Sequence, residues 1–94
     1  MSQKLSGAEK SRLRGRGQTM EVSLKIGREG ASPTVITALQ TLLKTHDLVK
    51  IRYTAAERDE RAIMTSQLAE GTDSACVGSV GSTALFYRPK AVPA

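Results

Sequence analysis

Two glycines three residues apart, with an arginine between them, are the part of this chain best suited to chemistry. In Gly27-Arg28-Glu29-Gly30 the glycines permit a sharp turn and let a ligand's backbone approach closely. Arg28 adds a planar fork of donors that matches a phosphate. The chemistry on offer is anion binding rather than bond making. A serine or cysteine nucleophile needs a base, and His46 is the one histidine in the chain. His46 and the single cysteine, Cys76, are too far apart in sequence to suggest a zinc site. No glycine-rich loop closes on Gly-Lys-Ser/Thr, and Gly15-Arg16-Gly17 lacks the third glycine of a dinucleotide fingerprint. The expectation is a protein with no catalytic residues, metal, cofactor or small-molecule substrate.

The spacing alone is cheap. Gly78-Ser79-Val80-Gly81 has it too, in a stretch that reads as a strand running into a hairpin. Context separates the two. Met20, Val22, Leu24 and Ile26 alternate with polar residues, the period of a half-buried strand ending at Gly27. After Gly30, Ser32 is a good N-cap and Pro33 suits the first helical position. Val35, Ile36, Leu39, Leu42 and Leu43 then recur at helical spacing, to about Thr45. The loop therefore joins a strand to a helix N-terminus, whose free N–H groups and dipole favour anions. KH-type loops grip a nucleic-acid backbone in this way.

The other elements follow from the same periodicities. Residues 5–15 predict a short helix, stopped by Gly15 and Gly17. Leu48–Tyr53 is a strand with Val49, Ile51 and Tyr53 on one side and Leu48, Lys50 and Arg52 on the other. Residues 57–70 form a helix with acids in its first turn and Ile63, Met64 and Leu68 facing inward. Residues 74–80 and 83–88 are strands joined through Gly81-Ser82, a two-residue hairpin turn with glycine first. The order α-β-α-β-α-β-β predicts an α/β two-layer sandwich on a mixed four-stranded sheet. The whole chain, 1–94, reads as one domain, ordered over about 5–89, with a loose tail at 90–94.

Fourteen Lys and Arg face nine acids, for a net charge of +5 and a pI near 9.8, the footprint of a nucleic-acid binder. The charge is segregated. Residues 1–30 carry seven cations against three acids, and residues 57–73 carry two against five. Arg14 and Arg16 extend the basic segment of the loop, while Lys25, Lys50 and Arg52 flank it. Base stacking needs exposed aromatics. Tyr53, Phe86 and Tyr87 sit in strand patterns instead, so recognition by backbone and shape is expected. A lone cysteine, a charged N-terminus and no apolar run of membrane length predict a cytoplasmic protein that avoids membranes. Nothing suggests an obligate dimer, so a monomer is expected.

An ordered set of residues resembles the CRM domain, the RNA-binding module of chloroplast RNA splicing and ribosome maturation proteins, in particular its stand-alone bacterial YhbY-like form. The set comprises Leu13-Arg14-Gly15, Ile26 to Gly30, Val35-Ile36 with Leu39, and Leu42 before His46. It continues with Leu48 to Ile51, Arg58, Gly78, Gly81, and Leu85 to Pro89. The resemblance implies a fold similar to the C-terminal domain of translation initiation factor three. It implies RNA binding through the loop Gly27, Arg28, Glu29, Gly30 and neighbouring basic residues. It also implies a ribosomal role, on RNA of the large subunit or its precursor particle. Glu29 departs from that scheme, because a carboxylate there repels phosphate unless it is turned away or paired. The alternative is a protein-interaction module that reaches the ribosome through an assembly factor, using the acidic helix.

Overall fold

The structure is a computed structural model that describes residues 6–88. The elements are α1 (Gly7–Gln18), β1 (Leu24–Ile26), α2 (Pro33–Thr45), β2 (Leu48–Tyr53), α3 (Arg58–Thr72), β3 (Ala75–Val80) and β4 (Thr83–Tyr87). The expected order and the mixed four-stranded sheet are both present. The strands lie in the order β1-β2-β4-β3, with β1 parallel to β2 and the other neighbours antiparallel. Leu5 and the tail from Pro89 lie outside the described residues.

The pleat divides the core in two. On one face Val49, Ile51 and Tyr53 of β2 join Ile26, Ala84 and Phe86, and α2 and α3 cover them with Val35, Leu39, Leu43 and Leu68. On the other face Leu48 and Leu85 meet Leu13 of α1 and Val77. Alternate residues of β2 and β4 thus serve opposite faces, as a period of two requires. The two-layer sandwich is the α2–α3 side; α1 adds a partial third layer behind it. Each fully buried Leu or Phe contributes roughly 1.5–3 kcal/mol.

Local chemistry explains most element ends. Ser6 caps α1: its hydroxyl accepts from the Glu9 N–H at 3.1 Å, and Glu9 accepts from the Ser6 N–H at 3.3 Å. The Ser32 hydroxyl accepts from Val35 N–H at 3.3 Å, with Pro33 at the first position. Gly81 takes φ +58°, as a hairpin turn with glycine first demands.

Three expectations need correction. Gly15 and Gly17 do not stop α1, which runs through both to Gln18. Packing overrides propensity here: Gly17 lies so close to Leu85 that a Cβ would overlap that side chain. The strand β1 is three residues long, because before Leu24 only the Ser23 N–H reaches β2, at Lys50 O, 2.8 Å. Ile63 is 60% exposed, since α3 turns Arg61, Met64, Thr65 and Leu68 towards the sheet instead.

Candidate nucleic-acid interface

The parallel register sets Ile26 beside Tyr53, and Thr54 pins the end of β1 by donating its N–H to Ile26 O at 2.8 Å. The chain then turns at once: Gly30 N–H donates to Gly27 O at 3.2 Å. Gly30 has φ +59° and is buried, and a Cβ there would stand 3.0 Å from the Met64 sulfur on α3. The backbone conformation calls for glycine, and a Cβ would in addition press on the Met64 side chain. An Asp at Gly30 would therefore disturb folding as well as the loop. Gly27 has ordinary φ, and the space where its side chain would lie is occupied by the Glu29 carboxylate at 3.0 Å.

Glu29 turns inward onto its own loop. Its Oε1 accepts from the Gly27 N–H at 3.2 Å. The carboxylate, on an exposed side chain, is thus paired with the turn's own backbone rather than with Arg28; it occupies one donor of the turn. The backbone N–H groups of Arg28 and Glu29 have no partner among the described residues. Those two amides and the exposed Arg28 side chain are what the loop offers an anion.

The structure brings only some of the expected cations to this loop. Lys25 and Arg52 are register partners on β1 and β2, both exposed and without a partner among the described residues. They stand with Arg28 at the end of the sheet where β1 and β2 finish. Lys50 is spent elsewhere: its Nζ donates to Gly17 O at 3.2 Å and Met20 O at 3.3 Å, satisfying the end of α1. Arg14 crosses the sheet face to donate from Nε to Val77 O at 3.0 Å. That carbonyl belongs to the residue left over in the bulge between Cys76 and Gly78. Gly78 makes room, since a Cβ there would stand 2.7 Å from Arg14 Cγ.

Arg16 makes a two-pronged pair with Asp47, at 3.0 and 3.2 Å. The hydrogen bond from Arg16 holds the Asp47 carboxyl below its usual range, and the same bond raises Arg16. Asp47 precedes β2, so this pair sits at the opposite end of the strand from the loop, about 20 Å away at 3.3 Å per residue. Arg14, Arg16 and Lys50 hold α1 in place; Lys25, Arg28 and Arg52 at the loop end have no partner among the described residues.

Two cations of the acidic helix do not stand out as site residues in the sequence. Arg58 and Arg61 start α3, which leaves β2 at the same end of the sheet. Their spacing of three, one turn of helix, is the signal that could have found them. The aromatics are interior: Tyr53 and Phe86 are buried, and partly buried Tyr87 packs on the α1 side. Burial pushes the Cys76 thiol up, away from reactivity. Among the described residues no three His, Cys, Asp or Glu side chains could hold a metal ion. No described helix is long and apolar enough to cross a membrane.

A mixed sheet of this order, with a glycine-bounded turn feeding a capped helix, defines a class. Residues 5–88 match the CRS1/YhbY (CRM) domain, and the chain belongs to that family. It is 29% identical over 89 residues to a protein of Pseudomonas aeruginosa named a probable RNA-binding protein, covering 95% of this chain and 86% of that one. It is 32% identical over 89 residues to a probable RNA-binding protein of Methanocaldococcus jannaschii, covering 93% and 66%. The fold is similar to the solution structure of a Staphylococcus aureus protein proposed to bind RNA. The TM-score is 0.83 at 25% identity, covering 95% of this chain and 93% of that one. None of these relatives is named for a catalytic activity.

Proposed function

We propose that this protein binds structured RNA at the loop end of its sheet. Gly27 to Gly30 receive the phosphate backbone on the Arg28 and Glu29 amides, and Arg28, Lys25 and Arg52 supply the field around it. The target proposed is ribosomal RNA of the large subunit during its assembly, with the protein acting as a cytoplasmic monomer. One observation carries the reading. Three cations without partners share one end of the sheet with a turn whose Arg28 and Glu29 amides are also unbonded, all among the described residues. Elsewhere Arg16, Lys50 and Arg14 are each engaged by the fold. Like charges placed side by side on neighbouring strands cost stability, and a bound polyanion offsets that cost. The family and the names of the relatives support RNA as the ligand.

Titration against a large-subunit ribosomal RNA fragment and a DNA duplex of equal length, at several salt concentrations, tests this. The RNA is expected to bind more tightly, with a steep salt dependence set by the number of phosphates engaged. Arg28→Gln should weaken binding and lower that slope. Equal affinity for both polymers, or no binding at low salt, would reject the reading in favour of protein partners.

A further inference from the structure

α3 and the β3–β4 hairpin enclose a cleft of about 650 Å³ that the loop does not use. Arg58, Arg61, Ala62 and Thr65 line it from α3, and Ser79 and Gly81 from the hairpin. We propose that this cleft is a second RNA subsite, which takes one unpaired nucleotide and holds its phosphate between Arg58 and Arg61. The proposal rests on the RNA-binding reading above and extends it to residues outside the loop.

The charge of the cleft is of one sign. Among the described residues the two arginines are the only charged ones that line it, although α3 is acidic overall. Glu60 is turned to the helix start instead, where its Oε1 accepts from the Glu57 N–H at 3.2 Å. The arginines are three residues apart, so their Cβ atoms lie about 5–6 Å from one another on one helix face. Arg61 is preorganised: its Nη1 donates to Ala56 O at 3.0 Å, which positions the guanidinium and leaves its other donors available. Arg58 has no partner among the described residues. Two guanidinium groups so placed can share one phosphate, each through charge-assisted hydrogen bonds.

The remaining lining suits a sugar and base. The Tyr53 and Thr65 hydroxyls share one hydrogen bond at 2.7 Å, and the Thr83 hydroxyl donates to Val80 O at 2.8 Å. These walls are polar, and the Tyr53–Thr65 pair keeps one hydroxyl proton to offer. Ser79 is exposed, and its hydroxyl has no partner among the described residues. Gly81 leaves the rim open, since a Cβ there meets nothing within 4 Å. The volume falls in the range of pockets that bury small ligands, roughly 300–1,000 Å³. A splayed-out nucleotide of a single strand or bulge can enter between a helix and a hairpin turn; a paired helix cannot.

Position ties the cleft to the loop. Met64 lies against Gly30, and Arg61 precedes Met64 by one turn, about 5 Å along α3. A strand seated on the loop reaches the arginines with its next backbone steps.

The test is an amide NMR titration of the full chain with a twelve-nucleotide single-stranded RNA, a duplex of the same sequence, and uridine monophosphate. The single strand is expected to shift both the loop signals, 27–30, and the cleft signals of Arg58, Arg61, Ser79 and Gly81. Arg58→Glu, at an exposed position, should keep the fold and the loop shifts but lose the cleft shifts. Its salt slope should fall by about 0.7 for each phosphate it no longer neutralises. Loop shifts without cleft shifts would overturn the subsite and leave the RNA-binding reading standing. Duplex moving the cleft as strongly as single strand, or uridine monophosphate moving it where the oligonucleotide does not, would also overturn it. Silence of both regions with every RNA would reject both readings.

Discussion

Gly15 and Gly17 sit two residues apart in α1, and the same substitution should act on them in opposite directions. Gly15 is exposed, and a Cβ there meets nothing within 4 Å. Gly15→Ala therefore collects the helix-propensity gain of about 0.8–1 kcal/mol with no steric cost. At Gly17 a Cβ would overlap both methyls of Leu85 and stand 3.0 Å from its Cγ. Leu85 can give way only by loosening its packing among Leu13, Leu48 and Val77. Overpacking of this kind costs about 1–3 kcal/mol, which exceeds the propensity gain at the end of a helix. The net should be a loss of up to about 2 kcal/mol. Each kcal/mol moves the midpoint of a domain this size by about 4–8 °C. Thermal and urea unfolding followed by circular dichroism should show Gly15→Ala melting higher than the parent and Gly17→Ala lower. Leu85→Ala should relieve the clash, so the double variant Gly17→Ala/Leu85→Ala should be more stable than additivity predicts, by about 1 kcal/mol. Equal stabilisation by both alanines would refute the close approach of α1 to the sheet.

Three further outcomes are expected. Lys25→Thr should raise stability by a few tenths of a kcal/mol up to about 1, by removing a like charge beside Arg52, while weakening RNA binding; a variant that changes neither property would disconnect this pair from function. Gly30→Ala should cost about 1–2 kcal/mol for its left-handed backbone, whereas Gly27→Ala, where only the flexible Glu29 side chain must move, should be nearly neutral in the same denaturation assay. Asp47→Asn should cost about 0.2–1 kcal/mol, discounted because both partners are partly exposed, and less at high salt. The folded Asp47 pKa is lowered, so its contribution is present above the ordinary carboxylate range and lost as pH falls through the lowered value. The difference between wild type and Asp47→Asn should close in acid, and a difference that grows there would contradict the assignment.

The elements whose signals are local were legible in the sequence. Ser32, Pro33 and the apolar period placed α2, alternation placed β2, and Gly81-Ser82 placed the hairpin. What the sequence did not show depended on partners distant along the chain. Gly17 looks like a helix stop until Leu85 is beside it. Arg14, Arg16 and Lys50 look like free charge until Val77, Asp47 and the end of α1 take them up. Ile63 looks inward because an apolar residue is taken to face the core, yet the inward line of α3 falls on Met64 and Leu68. Within the loop, glycine chemistry placed the turn correctly. The fate of Glu29 was not readable, because whether its carboxylate folds onto Gly27 N–H depends on the φ and ψ of four residues at once.

The strand order has a consequence for how the chain is made. In space β4 lies between β2 and β3, although it follows both in sequence. While the protein emerges from its own ribosome, β2 pairs with β1 and leaves its other edge open until residues 83–87 have cleared the exit tunnel. Until then Val49, Ile51 and Tyr53 lack Ala84 and Phe86 beside them, and an open apolar edge is where nascent chains aggregate. Closure of this sheet is therefore a late event in synthesis, and a chain halted before Thr83 should stay sensitive to protease along most of its length.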